Sequence, residues 1–214
     1  KEVLQQLPME FAVEAQKLLD KLAAKSPKLV EELVPGKLSL GVVTRTLQNL
    51  LQESVPIRDM RTVVEALTEV CGRTQDPDQL TQLVRPKLGR MIVQSLTENR
   101  DTLSVLTLDP QLEQLLHNVL QQNNGLSGMV LEPSLTESLF AALRESARNT
   151  EEQGFPAVLV VSPAIRPWMS KAVRFRVSEL TVMSYSEIPD DQPVKVINTV
   201  QAEPRNNNPS VTKA

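Results

Sequence analysis

The chain has one histidine, His117, and one cysteine, Cys71. Metal centres need several His, Cys and carboxylate side chains converging at defined spacing, so the material for a zinc site is missing. A single thiol closes no internal disulfide, which fits a reducing compartment. Glycine is scarce as well: seven residues in 214, none in a GxGxxG or GxxxxGK[ST] frame. No phosphate-cradling loop is therefore encoded, and no nucleotide or other cofactor is expected. The GxSxG turn of serine hydrolases is also absent. Aromatic residues make up 3% of the chain, too few to offer a stacking platform for bases or sugars. Neither sign of charge dominates, with 23 basic and 26 acidic residues giving a net charge of -3. Such a balance creates no field that would draw nucleic acid or an anionic membrane surface. No apolar run approaches the roughly 18 residues that a membrane span requires. No signal peptide opens the chain. The opening Lys1-Glu2-Val3 lacks a methionine, as expected of a piece cut from a longer protein, so the missing span describes this chain and is no statement about its parent.

What the sequence does have is 41% hydrophobic residues, mostly Leu and Val, enough for a sizeable core or two small ones. Residues 10–34 carry Val13, Leu18, Leu22 and Leu29 at helical spacing, with a break near Ser26-Pro27 because proline suits the first position of a new helix. Pro35-Gly36 ends this stretch. Three helices follow as a group. Ser39 caps the first, whose stripe is Leu40, Val43, Leu47, Leu50 and Leu51. Pro56 ends it, since the residue before a proline is pushed out of the α region. Asp59 caps the second, with Met60, Val63, Val64 and Leu67 on one face and Gly72 near its end. Asp76, Pro77 and Gln79 form the start of the third, with Gln79 placed to reach back as in a capping box. Its stripe runs from Leu80 through Leu83, Val84, Leu88, Met91 and Ile92, and Pro86 inside it predicts a kink.

Past Asn99 the pattern changes. Leu103 to Leu108 reads as a strand. Asp109-Pro110 opens a helix carrying Leu112, Leu115, Leu116, Val119 and Leu120, and Asn123-Asn124-Gly125 forms a turn. Ser134 and Glu137 make a second capping-box pattern ahead of Leu135, Leu139 and Leu143, and that helix stops at Gly154. The continuous apolar run Ala157 to Val161 is expected of a strand covered on both faces. Ser162-Pro163 is placed to cap a helix with Ile165, Trp168, Ala172 and Phe175, and Leu180 to Tyr185 is the next strand. A strand–helix–strand unit of this length favours parallel pairing. Val194 to Val200 adds an edge strand, and residues 201–214 form a polar tail. The fold class is mixed α+β: a helical subdomain followed by a small α/β subdomain with a partly parallel sheet, joined near residue 100.

Few residues invite a chemical reading. His117 lies in an apolar helical segment, where a half-buried histidine is the plain role, and Cys71 near a helix end reads as a small buried apolar residue. A Cys71–His117 dyad would need the fold to bring them together, and no family signature surrounds either. Glu31-Glu32 and Glu151-Glu152 read as solvated charge. Arg58, Asp59 and Arg61 cluster where two helices meet, either as a cap with surface salt bridges or as an intersubunit hub. Three helices closed by a β element allow a winged helix, but residues 76–98 mix Arg85, Lys87 and Arg90 with Asp76, Asp78 and Glu98, unlike a basic recognition helix.

Resemblance carries further. Residues 47–67, LQNLLQESVPIRDMRTVVEAL, resemble the signature of the FlhA family, the large export-gate subunit of flagellar type III secretion, and Val55, Pro56, Ile57, Arg58 and Asp59 with Arg61 form its most specific part. Glu32-Leu33-Val34-Pro35-Gly36 precedes that segment as in the family. Asp76-Pro77, Leu83-Val84-Arg85 and Leu88-Gly89-Arg90 follow, then Val158-Leu159-Val160-Val161 and Ile165-Arg166-Pro167. The likeness covers most of residues 14–185. It implies residues 1–35 as the helical end of one subdomain, 36–100 as a third, helical subdomain, 101–200 as a fourth, α/β subdomain, and 201–214 as a tail. It further implies a non-enzymatic docking platform without cofactor. The platform would assemble with other copies of itself into a ring, commonly of nine, and meet other export-apparatus proteins. It would receive export substrates and chaperones mainly through upstream subdomains. The parent would lie in the bacterial inner membrane with this region cytoplasmic, touching the membrane only through the absent N-terminal region. Pro86 and the opening residues 1–11 depart from the family pattern. Export gates of virulence injectisomes are close relatives that usually carry Ser where Pro56 stands, so Val55-Pro56-Ile57 leans flagellar. No nucleic-acid partner is implied.

Overall fold

The computed structural model describes residues 8–97, 100–122 and 131–202. The chain forms two compact units. One comprises Lys1–Asp101 with Ser186–Gln192, the other Thr102–Tyr185 with Pro193–Ala214. Residues 8–33 thus share one unit with the helices that follow them, and the short Ser186–Gln192 segment far along the chain returns to that unit.

The helical unit contains α1 (Pro8–Ala23), α2 (Pro27–Leu33), α3 (Leu40–Gln52), α4 (Met60–Val70), α5 (Pro77–Val84) and α6 (Gly89–Thr97). Leu19, Leu33, Leu38, Val43, Leu47, Leu50, Val63, Val64, Leu67, Leu80 and Val84 all turn inward and are almost fully buried, but the face expected for residues 10–34 is corrected: Val13 is exposed and Leu18 and Leu29 half-buried, while Ala15, Leu19, Leu22, Val30 and Leu33 face the core. Short polar side chains start three of the helices. Ser39 Oγ accepts from the Val42 N–H at 3.3 Å, an Asp59 carboxylate oxygen from Thr62 at 3.2 Å and Asp76 from Gln79 at 2.8 Å. The expected reciprocal bond of Gln79 is not made, because the Asp76 N–H already donates to Thr74 Oγ1 at 3.1 Å. At α3's end Ser54 takes a left-handed φ of 60°. Its N–H donates to Leu51 O and that of Val55 to Leu50 O, each at 2.9 Å. This is a Schellman closure with Val55 folded back on the helix's last buried turn. The kink predicted at Pro86 is a 3-10 turn, Arg85–Leu88, between α5 and α6. Proline has no N–H to donate and its ring crowds the preceding turn, so regular α winding is interrupted there.

The α/β unit contains β1 (Leu103–Leu108), α7 (Pro110–Gln122), α8 (Pro133–Glu152), β2 (Val158–Val161), α9 (Arg166–Arg174), β3 (Thr181–Ser184) and β4 (Val194–Val200). The sheet order is β3-β2-β1-β4 and every described pairing is parallel, where only a partly parallel sheet was expected. In β4 an extra residue, Ile197, is accommodated where the register steps from Val105↔Val196 to Leu106↔Asn198. β2 is buried along its whole length, as its unbroken apolar run predicts for a central parallel strand. Leu106, Leu159, Val161 and Val182 on one sheet face pack with Leu116, Leu139, Leu143, Ile165 and Met169 from α7, α8 and α9.

Two predicted caps are corrected. Helix α8 begins at Pro133 with Glu132 before it, so Ser134 lies inside the first turn and its hydroxyl donates to Glu132 instead of capping with Glu137. Helix α9 begins at Arg166, and Ser162 serves it only through its carbonyl, which accepts from Ile165 at 3.1 Å and Arg166 at 3.0 Å. The stop at Gly154 holds: φ is 79°, with Gly154 N–H donating to Glu151 O and Phe155 N–H to Thr150 O. The turn at 123–125 and the tail beyond 202 fall outside the described residues.

Candidate functional site

The Val55 to Arg61 segment forms the corner between α3 and α4. Val55 is buried at its base, Pro56 and Ile57 are half-buried, and Arg58, Asp59 and Arg61 project outward. Asp59 is fixed most firmly, since Thr62 donates both its backbone N–H and its hydroxyl, the latter at 2.6 Å. The Thr62 hydroxyl, then the Thr62 N–H, hold the Asp59 carboxyl below its usual range. Arg61 reaches one turn along its own helix to Glu65 at 2.9 Å, an exposed pair of small energetic weight.

Beside this corner lies an open groove of about 770 Å³ within the helical unit. Asp59 and Thr62 form one rim, Lys87, Arg90, Met91 and Gln94 another, and the Ser186–Asp190 segment the third. Of the Val55 to Arg61 corner only Asp59 lines it, whereas Pro86 and the Leu88 and Arg90 of the Leu-Gly-Arg motif, also singled out in the sequence, line it from the other side. Arg58 and Arg61 stand outside, so the signature motif is split between a buried anchor, a cap and two outward cations.

The wall of the groove rests on an ion cluster that sequence reasoning missed. Arg85 is completely buried. Its Nε and Nη2 donate to the two oxygens of Glu187 at 3.0 and 2.7 Å, and its Nη1 donates to Glu53 at 2.9 Å. Burial works against the Arg85 charge, but the Glu187 and Glu53 carboxylates more than offset it and raise its pKa above the ordinary arginine value. The forked guanidinium suits a two-point carboxylate contact, which fixes the angle of the Ser186–Gln192 segment as well as its position. Gly89 completes the fit: a Cβ there would stand 2.1 Å from the Glu187 carbonyl oxygen, so only glycine allows the approach. Arg90 adds a two-point contact to Asp191 at 3.0 Å on the surface, which lowers the Asp191 pKa chiefly through that hydrogen bond.

In the α/β unit, the carboxylate of Glu113 accepts from the Ser162 N–H at 2.7 Å and from the Tyr185 hydroxyl at 3.0 Å. It ties the carboxyl ends of β2 and β3 to the first turn of α7. Partial burial, then the Glu113 charge, push the Tyr185 phenol up to about 12. His117 is half-buried, with Nε2 2.9 Å from Gln121 on its own helix. The Cys71 thiol is buried and donates to Thr68 O at 3.2 Å. His117 belongs to the α/β unit and Cys71 to the helical unit. Among the described residues no group of three or more His, Cys, Asp and Glu is placed to hold a metal ion, and no helix is long and apolar enough to cross a membrane.

Comparison with known proteins agrees with this architecture. The chain is 42% identical over 187 residues to the flagellar biosynthesis protein FlhA of Escherichia coli K12, an alignment that takes in 87% of this chain and 26% of that protein. The chain therefore spans about a quarter of the length of such relatives. Among solved structures, Chlamydia pneumoniae CdsV in its complex with CdsO superposes with a TM-score of 0.78 at 25% identity, covering 89% of this chain and 56% of that one. The nonameric SctV-C of EPEC does so with a TM-score of 0.76 at 27% identity, covering 88% and 56%. The model of the FHIPEP family matches residues 2–193. With the VPIRD corner and the Leu-Gly-Arg turn both inside that match, the chain belongs to the FHIPEP family.

Proposed function

We propose that this chain is the end of the cytoplasmic region of a flagellar type III export gate, and that it works as a docking platform without catalysing a reaction. The observation that carries the reading is the 42% identity with a flagellar biosynthesis protein along nearly the whole chain, against 25–27% with the CdsV and SctV structures. Assembly into a ring is supported by the nonameric state of the SctV relative, and contact with other export components by the CdsV–CdsO complex. The parent protein is anchored in the inner membrane and this part faces the cytoplasm, where it meets chaperones and substrates together with the preceding subdomains.

Chemistry supports a surface role. The outward cations Arg58 and Arg61 stand on a corner whose backbone is fixed by the Asp59 cap, and rigidly held charges favour specific association over loose attraction. The test is made on the full cytoplasmic region of the parent, by native mass spectrometry and negative-stain imaging. Rings are expected. Arg58→Glu with Arg61→Glu is expected to shift rings towards monomers with unchanged melting. Asp59→Ala is expected to lower stability by about 1 kcal/mol through loss of the cap. Monomers at every concentration, or rings indifferent to the double charge reversal, would remove the ring role of the corner. In cells, restored motility supports the flagellar assignment, whereas restored secretion of virulence effectors supports an injectisome.

A further inference from the structure

The four-stranded sheet ends on two unlike edges. β3 is four residues long and largely buried, whereas β4 is seven residues long and exposed over most of its length. β1 covers one side of β4. The Leu103 N–H donates to Pro193 O at 2.9 Å, so in the parallel register Pro193 and Lys195 turn their backbone groups towards β1. Val194 and Val196 therefore turn theirs away, and among the described residues no strand takes them up. Further along, past the extra residue Ile197, the Thr199 N–H donates to Asn198 Oδ1 at 2.9 Å and is already occupied. The open stretch is thus residues 194–196. The side chains of Val194 and Val196 are 43% and 53% exposed, although they extend the sheet face on which Leu103 and Val105 are buried. The strand that carries them is held in place. Thr199 Oγ1 lies 3.2 Å from Thr107 Oγ1, Asn198 Nδ2 donates to Ser146 Oγ at 3.2 Å, and Val200 O accepts from the Asp109 N–H at 2.8 Å.

We infer that this edge accepts an extended segment of a partner protein as an added strand, with apolar side chains opposite Val194 and Val196 and a carboxylate opposite Lys195. The inference deepens the platform reading and rests on it, giving the α/β unit a docking surface of its own. Unpaired backbone groups name their complement. One N–H and one C=O on each of Val194 and Val196, at strand spacing, are met by another extended backbone and not by a helix or a lipid surface. Lys195 sets the charge of that complement. It is exposed, projects from the sheet face opposite to the two valines, and makes no ion pair among the described residues. A second copy of the chain fits worse. The antiparallel register that satisfies both valines of both copies pairs Val194 with Val196 and sets the two Lys195 ammonium groups directly opposite each other, where like charges repel. The extra residue Ile197 works in the same direction, because a bulged edge twists away from a straight mate. A strand carrying Asp or Glu at that place turns the same position into an attraction.

The test uses the purified chain and a short labelled peptide that alternates valine and threonine around a central glutamate, read by fluorescence anisotropy and amide hydrogen exchange. The other arms are the same peptide with every backbone nitrogen methylated, the same peptide with lysine for glutamate, and sedimentation of the chain alone. Binding of the glutamate peptide is expected, with the Val194 and Val196 N–H groups becoming protected from exchange. Methylation is expected to abolish it, since it removes the peptide's donors and leaves its side chains. Lys195→Glu is expected to weaken the glutamate peptide about fivefold and to strengthen the lysine peptide by about the same factor. Val196→Pro deletes an outward N–H, which an edge strand tolerates, and is expected to abolish binding while the chain still unfolds cooperatively. Absence of binding, binding that survives methylation, or peptide preference unmoved by Lys195→Glu would overturn the inference. Self-association that Val196→Pro dissolves, without peptide binding, would assign the edge to a second copy. Binding seen only after removal of residues 203–214 would assign it to the chain's own end, and either result overturns the partner strand. Rings of the full cytoplasmic region with no peptide binding defeat this surface alone; peptide binding with no ring formation defeats the ring reading alone.

Discussion

At the scale of single residues, Arg85 decides most. Its charge is fully removed from water, and its bonds to Glu53 and Glu187 make it the point where α3, the 3-10 turn and the Ser186–Gln192 segment meet. Removing one member of such a cluster leaves uncompensated charge in the interior. Arg85→Ala is therefore expected to cost about 3–5 kcal/mol, measured by urea unfolding. Ser54 makes the opposite case. It holds the same left-handed closing position after α3 that Gly154 holds after α8, but carries a Cβ that disfavours it. Ser54→Gly is expected to stabilise the chain by up to about 1 kcal/mol, and a drop in the urea midpoint would refute that account. Tyr185 is the chain's only tyrosine, so its ionisation can be followed by absorbance without overlap. A phenol whose folded pKa is raised contributes stability below the unfolded value near 10, and that contribution is lost as pH climbs through the folded value. The absorbance midpoint is expected near 12 in the native chain and lower in Glu113→Gln.

Elements follow from local sequence wherever one short-range rule acts alone. Ser39, Asp59 and Asp76 were legible as caps because each needs only an N–H a few residues ahead. The buried strand β2 was legible because an unbroken apolar run of its length has few other uses. Reading failed where two local rules compete. Pro133 fixes the start of α8 and overrides the Ser134 capping pattern, and the turn through Pro163 sets α9 back to Arg166. It failed more deeply at the groove. Arg85 and Glu187 are 102 residues apart, and no window of sequence signals that an arginine on an apolar stripe has a buried partner so far away. Leu88-Gly89-Arg90 was visible as a motif, but the reason for its glycine was not. Gly89→Ala is expected to cost several kcal/mol at most and about 1–3 at least, because backbone must give way at Glu187. A melting temperature within a degree or so of the parent would show that the segment yields freely.

The molecule as a whole is built from a helical unit whose last piece arrives after the chain has completed three strands of the other unit. That order has an energetic consequence. A fragment ending at Asp101 contains every helix of the first unit but lacks Glu187, so Arg85 keeps one carboxylate partner in place of two and the cover over its guanidinium is missing. In the intact chain Arg85→Met leaves Glu53 and Glu187 buried without their cation, a loss of about 3–5 kcal/mol. In the fragment the same substitution replaces a partly uncovered, singly paired cation with an apolar side chain of similar length. The cost there is expected to fall to about 1 kcal/mol or less, the value of a solvated pair. Urea unfolding of four proteins, chain and fragment with and without Arg85→Met, measures the difference. Equal costs in both backgrounds would mean that Glu187 contributes nothing to holding Arg85, and the returning segment would then owe its place to other contacts, among them the Gly89 packing, the Arg90–Asp191 pair and the hydrogen bond from Gln192 to the Asp101 carbonyl.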